Sequence, residues 1–120
     1  MRAYLVVDHG SRRERSNRRL SEVADLLRER VEDPVEFAHM ELAPPSIADG
    51  FRACVERGAS EVVVLPYFLG PGRHANEDVP RLVEEAAAAH PGVRYKVGPA
   101  LGPHPLLADL LLIRAGLPEK

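Results

Sequence analysis

Two aliphatic runs constrain this chain most. Ala3-Tyr4-Leu5-Val6-Val7 and Val62-Val63-Val64-Leu65 carry almost no polar interruption. A strand with one solvated face would alternate. An uninterrupted β-branched run suits a central strand covered on both faces, as in a parallel sheet. Val35 to Met40 is a weaker third candidate. Val93-Arg94-Tyr95-Lys96-Val97 does alternate, with Val93, Tyr95 and Val97 on one side, and predicts an edge strand.

Helical spacing fills the gaps between these runs. Leu20, Val23, Ala24, Leu27 and Val31 recur every three or four residues, as do Ile47, Phe51, Cys54 and Val55. Ser46 and Asp49 have capping-box spacing, and Gly58 is a suitable stop. Val79, Leu82, Val83, Ala86 and His90 form a third stripe, with Pro80 in its first turn. A last helix is expected from about Pro105 to Ala115. The order β-α-β-α-β-α-β-α predicts an α/β fold: a four-stranded parallel sheet with helices on both faces and right-handed crossovers. The 120 residues are read as one domain, 1–120. The last helix is apolar nearly all round, through Leu106, Leu107, Leu110, Leu111, Leu112 and Ile113. It is expected either at a subunit contact or wedged under the sheet.

Composition removes several classes of function. A net charge of −2 argues against general attraction to nucleic acid or an anionic membrane. The single cysteine, Cys54, excludes a disulfide framework, a Cys-rich zinc site and an iron–sulfur cluster held by this chain alone. No apolar run approaches bilayer length, and the N-terminal run is shorter than a signal-peptide core. A cytoplasmic protein is the expectation.

Ligands of such sheets bind beyond the carboxyl ends of the strands. Four of the five histidines fall in the segments that follow or end the predicted strands: His9, His39, His74 and His104. His9 and His74 form the sharpest pair, each with glycine nearby. Imidazole suits Co, Ni, Fe and Zn ions and accepts protons near neutral pH. Glu41 is the natural third member, as ligand or proton acceptor. His39 would face the same way as Glu41 if the chain stays extended, but a partly buried strand histidine is the simpler reading. Asp8 and His9 should point to opposite faces, so a direct pair between them is not expected. His104 is read as a helix cap or rim residue, and His90 as a helix-end residue.

Arg12, Arg13, Arg15, Arg18 and Arg19 concentrate positive charge beside His9, at the start of a helix, and Arg73 adds charge on the facing loop. Capture of a polyanionic small molecule fits this pattern, and so does a solvated helix face. Gly70-Pro71-Gly72 could form an anion-binding turn. It lacks the Lys-Ser/Thr pattern of a P-loop, so a nucleotide is not expected.

Three spaced segments then carry a resemblance: His9-Gly10-Ser11-Arg12, Glu41-Leu42-Ala43-Pro44-Pro45-Ser46-Ile47, and Leu65-Pro66-Tyr67-Phe68-Leu69 with Gly72, His74 and Asp78. Together they resemble the short-form class II tetrapyrrole chelatases, the sirohydrochlorin cobaltochelatase and ferrochelatase family. The resemblance runs from residue 3 to about 115. It implies a chelatase-like (flavodoxin-like) three-layer domain that inserts Co²⁺, or alternatively Ni²⁺ or Fe²⁺, into sirohydrochlorin. It places metal-binding, catalytic histidines at His9 and His74 and the active-site glutamate at Glu41.

The resemblance further implies a homodimer and no cofactor beyond the metal substrate. Sirohydrochlorin is a polycarboxylate, so Ser11, Arg12, Arg13, Gly72 and Arg73 are the expected substrate contacts. Two rivals remain from other classes. One is a non-catalytic cobalt or nickel carrier using the same histidines. The other is a flavodoxin-like anion-binding module in which the histidines are structural. A histidine phosphatase fits His9-Gly10 only loosely.

Overall fold

The computed structural model describes residues 1–117. The elements follow the expected alternation. They are β1 (Arg2–Asp8), α1 (Glu14–Arg28), β2 (Val35–His39), α2 (Ile47–Glu56), β3 (Glu61–Pro66), α3 (Val79–Ala87), β4 (Arg94–Val97) and α4 (Pro105–Arg114). All strand pairings are parallel, in the order β2-β1-β3-β4. The two uninterrupted runs therefore occupy the centre, and the alternating segment lies at an edge.

Successive residues of β1 serve opposite layers, because side chains alternate across a strand. Ala3, Leu5 and Val7 pack with Ile47 and Phe51 of α2 and with Val79 and Val83 of α3. Tyr4 and Val6 pack with Leu20 and Ala24 of α1 and with Val35 of β2. Phe51 is fully buried and T-stacks on Tyr95 of the edge strand. Gly50 lets α2 come this close: a Cβ there would lie 2.7 Å from Leu5 Cδ1 and 3.0 Å from Ala38 Cβ.

Local signals explain most of the boundaries. Ser46 caps α2 in a reciprocal box with Asp49, and Gly58 closes it at φ +100°. His104 caps α4, its Nδ1 accepting from the Leu106 N–H at 3.0 Å. The predicted third stripe is shorter than expected. α3 ends at Ala87, and His90 lies beyond it with its ring stacked on Phe51, 5.7 Å between centroids. A single π-helical turn, His74–Asp78, precedes α3. The spacing had not predicted it.

The last helix is not wedged under the sheet. None of its residues is buried, and Leu106, Leu111, Leu112 and Ile113 are between 69 and 71 % exposed. An apolar groove of about 530 Å³ runs between α4 and the segments after β3 and β4, lined by Leu69, Gly102, Pro103, Leu107, Leu110 and Leu111.

Cys54 lies in the layer between the sheet and α2, fully buried, 3.9 Å from the Tyr4 carbonyl that its thiol faces. Burial pushes the thiol up to about 12, with the Glu36 carboxylate adding to the shift and Arg57 opposing it. The native chain should therefore resist a disulfide reagent at pH 8, whereas the denatured chain reacts. The same shift has a stability consequence. The unfolded chain loses this proton first, near its ordinary value of 9.0. The contribution is whole below that pH and is lost as pH rises from 9 towards 12. Urea midpoints across this range should fall more steeply for the wild type than for Cys54→Ala.

Candidate active site

The strand order reverses between β1 and β3. The chain leaves β1 for β2 on one side, then crosses to β3 on the other. That switch point opens a crevice at the carboxyl ends of the strands, where ligands of such sheets bind. His9 follows β1 directly, and His74 begins the π-turn that follows β3. Their rings meet edge to face, with centroids 4.8 Å apart. Phe68 stacks against His74 from behind at 6.5 Å.

Each histidine is held by its Nδ1. That of His9 lies 3.0 Å from the Gly10 carbonyl, and that of His74 lies 2.8 Å from Asp78 Oδ2. A carbonyl and a carboxylate can only accept, so in both rings Nδ1 carries the hydrogen. The Nε2 of His74 is then left with its lone pair available for an ion, while that of His9 faces Glu41. His9 Nε2 lies 2.8 Å from Glu41 Oε1, and Glu41 is 54 % exposed. An open cleft of about 230 Å³ adjoins this group, lined by Met40, Glu41, His74, Asp78, Arg81 and Leu82. Among the described residues, no group of three or more His, Cys, Asp or Glu side chains is disposed to hold a metal ion. The two histidines thus offer an incomplete shell, open to a ligand from outside.

Backbone geometry brings Glu41 to His9. The Met40 N–H donates to the Asp8 carbonyl at 2.8 Å, and the Glu41 N–H donates to the His9 carbonyl at 3.0 Å. Gly10, at φ +94°, fits beneath: a Cβ there would overlap the Glu41 carbonyl oxygen and lie 3.1 Å from His39 Cβ. Leu42 then turns the chain away at φ +72°.

His39 does not join Glu41. β2 ends at His39, so the extended chain that would have aligned the two side chains stops there. His39 is 1 % exposed and points to the α1 side of the sheet, where its Nδ1 meets Asp8 Oδ1 at 2.6 Å. Asp8 indeed does not orient His9. It pairs across the strands instead.

The predicted substrate contacts lie on the rim. Arg12 and Arg13 are exposed directly after His9, and neither side chain is ion-paired among the described residues. Ser11 uses its hydroxyl to accept from the Arg13 N–H at 3.0 Å. Gly72 borders open space, and Arg73 lies 3.8 Å from Glu77. His104 is engaged in its cap.

Two residues that shape the site had no role from sequence. Asn17 clamps the loop after His9: its amide donates to the Ser11 carbonyl at 2.7 Å, and its carbonyl accepts from the Ser11 N–H at 2.9 Å. Asp78 fixes the His74 ring. The i,i+4 spacing of His74 and Asp78 was a usable signal, since such pairs meet on one helical face. Asn17 had none beyond its polarity in the first turns of α1. No described helix is long and apolar enough to cross a membrane.

Comparison with known proteins follows the same lines. The CbiX family model matches residues 3–116. The chain is 50 % identical over 108 residues to the chloroplastic sirohydrochlorin ferrochelatase of Arabidopsis thaliana, covering 89 % of this chain and 48 % of that protein. It is 37 % identical over 84 residues to the sirohydrochlorin cobaltochelatase of Methanococcus maripaludis, covering 69 % of this chain and 58 % of that one. The fold superposes on SirB from Bacillus subtilis with Fe³⁺ at a TM-score of 0.89 and 30 % identity, over 98 % of this chain and 48 % of that chain. The chain thus spans about half the length of the curated relatives it matches.

Proposed function

Since the chain belongs to the CbiX family, we propose that it inserts a divalent metal into sirohydrochlorin, with Co²⁺ favoured and Ni²⁺ or Fe²⁺ as alternatives. The observation that carries this reading is the His9–His74 pair at the switch point, with both Nδ1 atoms engaged, His74 Nε2 open to an ion and His9 Nε2 shared with Glu41. Imidazole donors suit all three metals, and an incomplete shell suits an ion that must be handed on.

In this reading His9 and His74 hold the metal at the rim through Nε2, with Glu41 giving up its contact with His9 as the ion binds. The cleft is too small to enclose a tetrapyrrole, so the macrocycle lies across the rim with one face to the ion. Arg12, Arg13 and Arg73 pair with its carboxylates, and Ser11 and Gly72 shape the loops beneath. As the ion enters, two pyrrole nitrogens each give up a proton. Glu41 accepts them in turn and passes them to water, which its exposure permits. The four-nitrogen macrocycle then takes the metal from the two-histidine site. No cofactor beyond the metal substrate is needed.

Anaerobic metalation of sirohydrochlorin, followed by visible absorbance with Co²⁺, Ni²⁺ and Fe²⁺, tests this. The expected result is a protein-dependent rate above the spontaneous one. Metal binding without such a rate would favour the carrier reading. The absence of both would favour an anion-binding module.

We also infer a single chelatase domain over 1–120, a cytoplasmic setting that keeps Cys54 reduced, and a homodimer. The dimer rests on α4, most of whose apolar side chains face solvent. A second copy laying its own α4 into the groove at Leu107, Leu110 and Leu111 would cover them. Sedimentation should give twice the chain mass for the wild type. The double variant Leu110→Asp, Leu111→Asp should give the single mass, since two carboxylates would be buried without partners.

A further inference from the structure

Among the described residues His39 is the one buried polar or charged side chain, and the proposed reaction does not use it. It lies one strand away from the reacting group and on the opposite face of the sheet. Its contact with Asp8 Oδ1, at 2.6 Å, joins the last paired residues of β1 and β2. The very next residue after Asp8 is His9. Two residues after His39 comes Glu41.

β2 is an edge strand, bonded to the sheet on one side only, and its regular structure ends at His39. Beyond that point Glu41 is exposed and Leu42 reverses the chain in a left-handed conformation. Two backbone hydrogen bonds, Met40 to Asp8 and Glu41 to His9, carry the register past the strand end, and the His39 N–H closes the following loop on the Pro45 carbonyl at 2.8 Å. An apolar pair in this position would serve stability as well or better, because buried ionisable pairs contribute little net stability. What a short, directional, charge-assisted contact adds is position.

We propose that Asp8 and His39 are positioning residues: their bond across the ends of β1 and β2 holds Glu41 at its 2.8 Å distance from His9 Nε2. The inference rests on the chelatase reading for its kinetic test and on the His9–Glu41 contact alone for its spectroscopic test.

The variants are His39→Leu, which fills the space without the bond, and His39→Asn, whose amide nitrogen can take the place of Nδ1. Asp8→Asn keeps an acceptor and serves as a milder change should His39→Leu fail to fold. Each is assayed well below its melting temperature, alone and in a Glu41→Gln background. His39→Leu should lower kcat by about 10- to 100-fold, part of the roughly 10²- to 10⁴-fold that a positioned proton acceptor contributes. KM for sirohydrochlorin should change little, and His39→Asn should recover most of the rate. In the Glu41→Gln background the same change should cost less than about threefold, since residues acting as one unit are non-additive.

An undiminished loss in that background would overturn the proposal, as would equal losses for His39→Leu and His39→Asn. If the wild type shows no turnover, the chelatase reading fails by itself. The ¹⁵N chemical shift of His9 Nε2 then decides the inference: it should move in His39→Leu as it does in Glu41→Ala, and an unchanged shift would overturn it.

Discussion

His9→Ala and His74→Ala should each lower the protein-dependent metalation rate at least about 100-fold, to near the spontaneous rate. Both imidazoles lie at the mouth of the crevice. His9 is 38 % and His74 50 % exposed, so truncation removes little buried surface and leaves no cavity in the core. The fold should survive both changes, with circular dichroism unaltered. What disappears is one of two donors in a shell that has no third. A lone imidazole holds a divalent ion too weakly to keep it beside the macrocycle. The His9 change also removes the partner of Glu41, so proton transfer suffers with metal delivery, and the two contributions together reach the upper range for acid–base groups. Stopped-flow absorbance under saturating sirohydrochlorin checks this. A folded variant within threefold of wild type would remove that histidine from the mechanism. A rise in KM at constant kcat would make it a substrate contact instead.

Gly10→Ala should do nearly as much damage from a position that carries no chemistry. The residue sits at φ +94°, where a side chain costs about 1–3 kcal/mol. The added methyl would also overlap the Glu41 carbonyl oxygen and press on His39 Cβ. Backbone cannot yield as the end of a long side chain can. The loop carrying His9 or the segment carrying Glu41 must move, and the 2.8 Å relation between them goes with it. We expect activity to fall more than tenfold and the thermal midpoint to drop. Gly92→Ala, where a Cβ meets nothing within 4 Å, should leave both unchanged and serves as the control. An active, fully stable Gly10→Ala protein would show that the close approach is not required.

The layered fold was legible because its central strands are covered twice, and double burial leaves no room for polar alternation in Val62 to Leu65. The edge position of Arg94–Val97 was legible for the opposite reason. The rim histidines could be found as a set, since parallel strands deliver their exits to one end of the sheet. Their partners could not. Whether His39 joins Glu41 or Asp8 depends on where β2 stops pairing and on the left-handed turn at Leu42, a residue with no sequence preference for that conformation. The His74–Asp78 pair is the exception, since its i,i+4 spacing was readable, although the π-turn that carries it was not. The apolar excess of α4 was visible in composition; its exposure was not, because it depends on α4 lying clear of the layers that α1, α2 and α3 form with the sheet.

The two imidazoles arrive by different routes. His9 follows β1 directly, whereas His74 stands eight residues beyond the end of β3, on the π-turn. One jaw of the ion site is thus fixed to the sheet and the other is carried by a loop. Changes between Pro66 and His74 would shift one donor against the other, so a scaffold of this kind can retune the gap it offers a cation without touching its core.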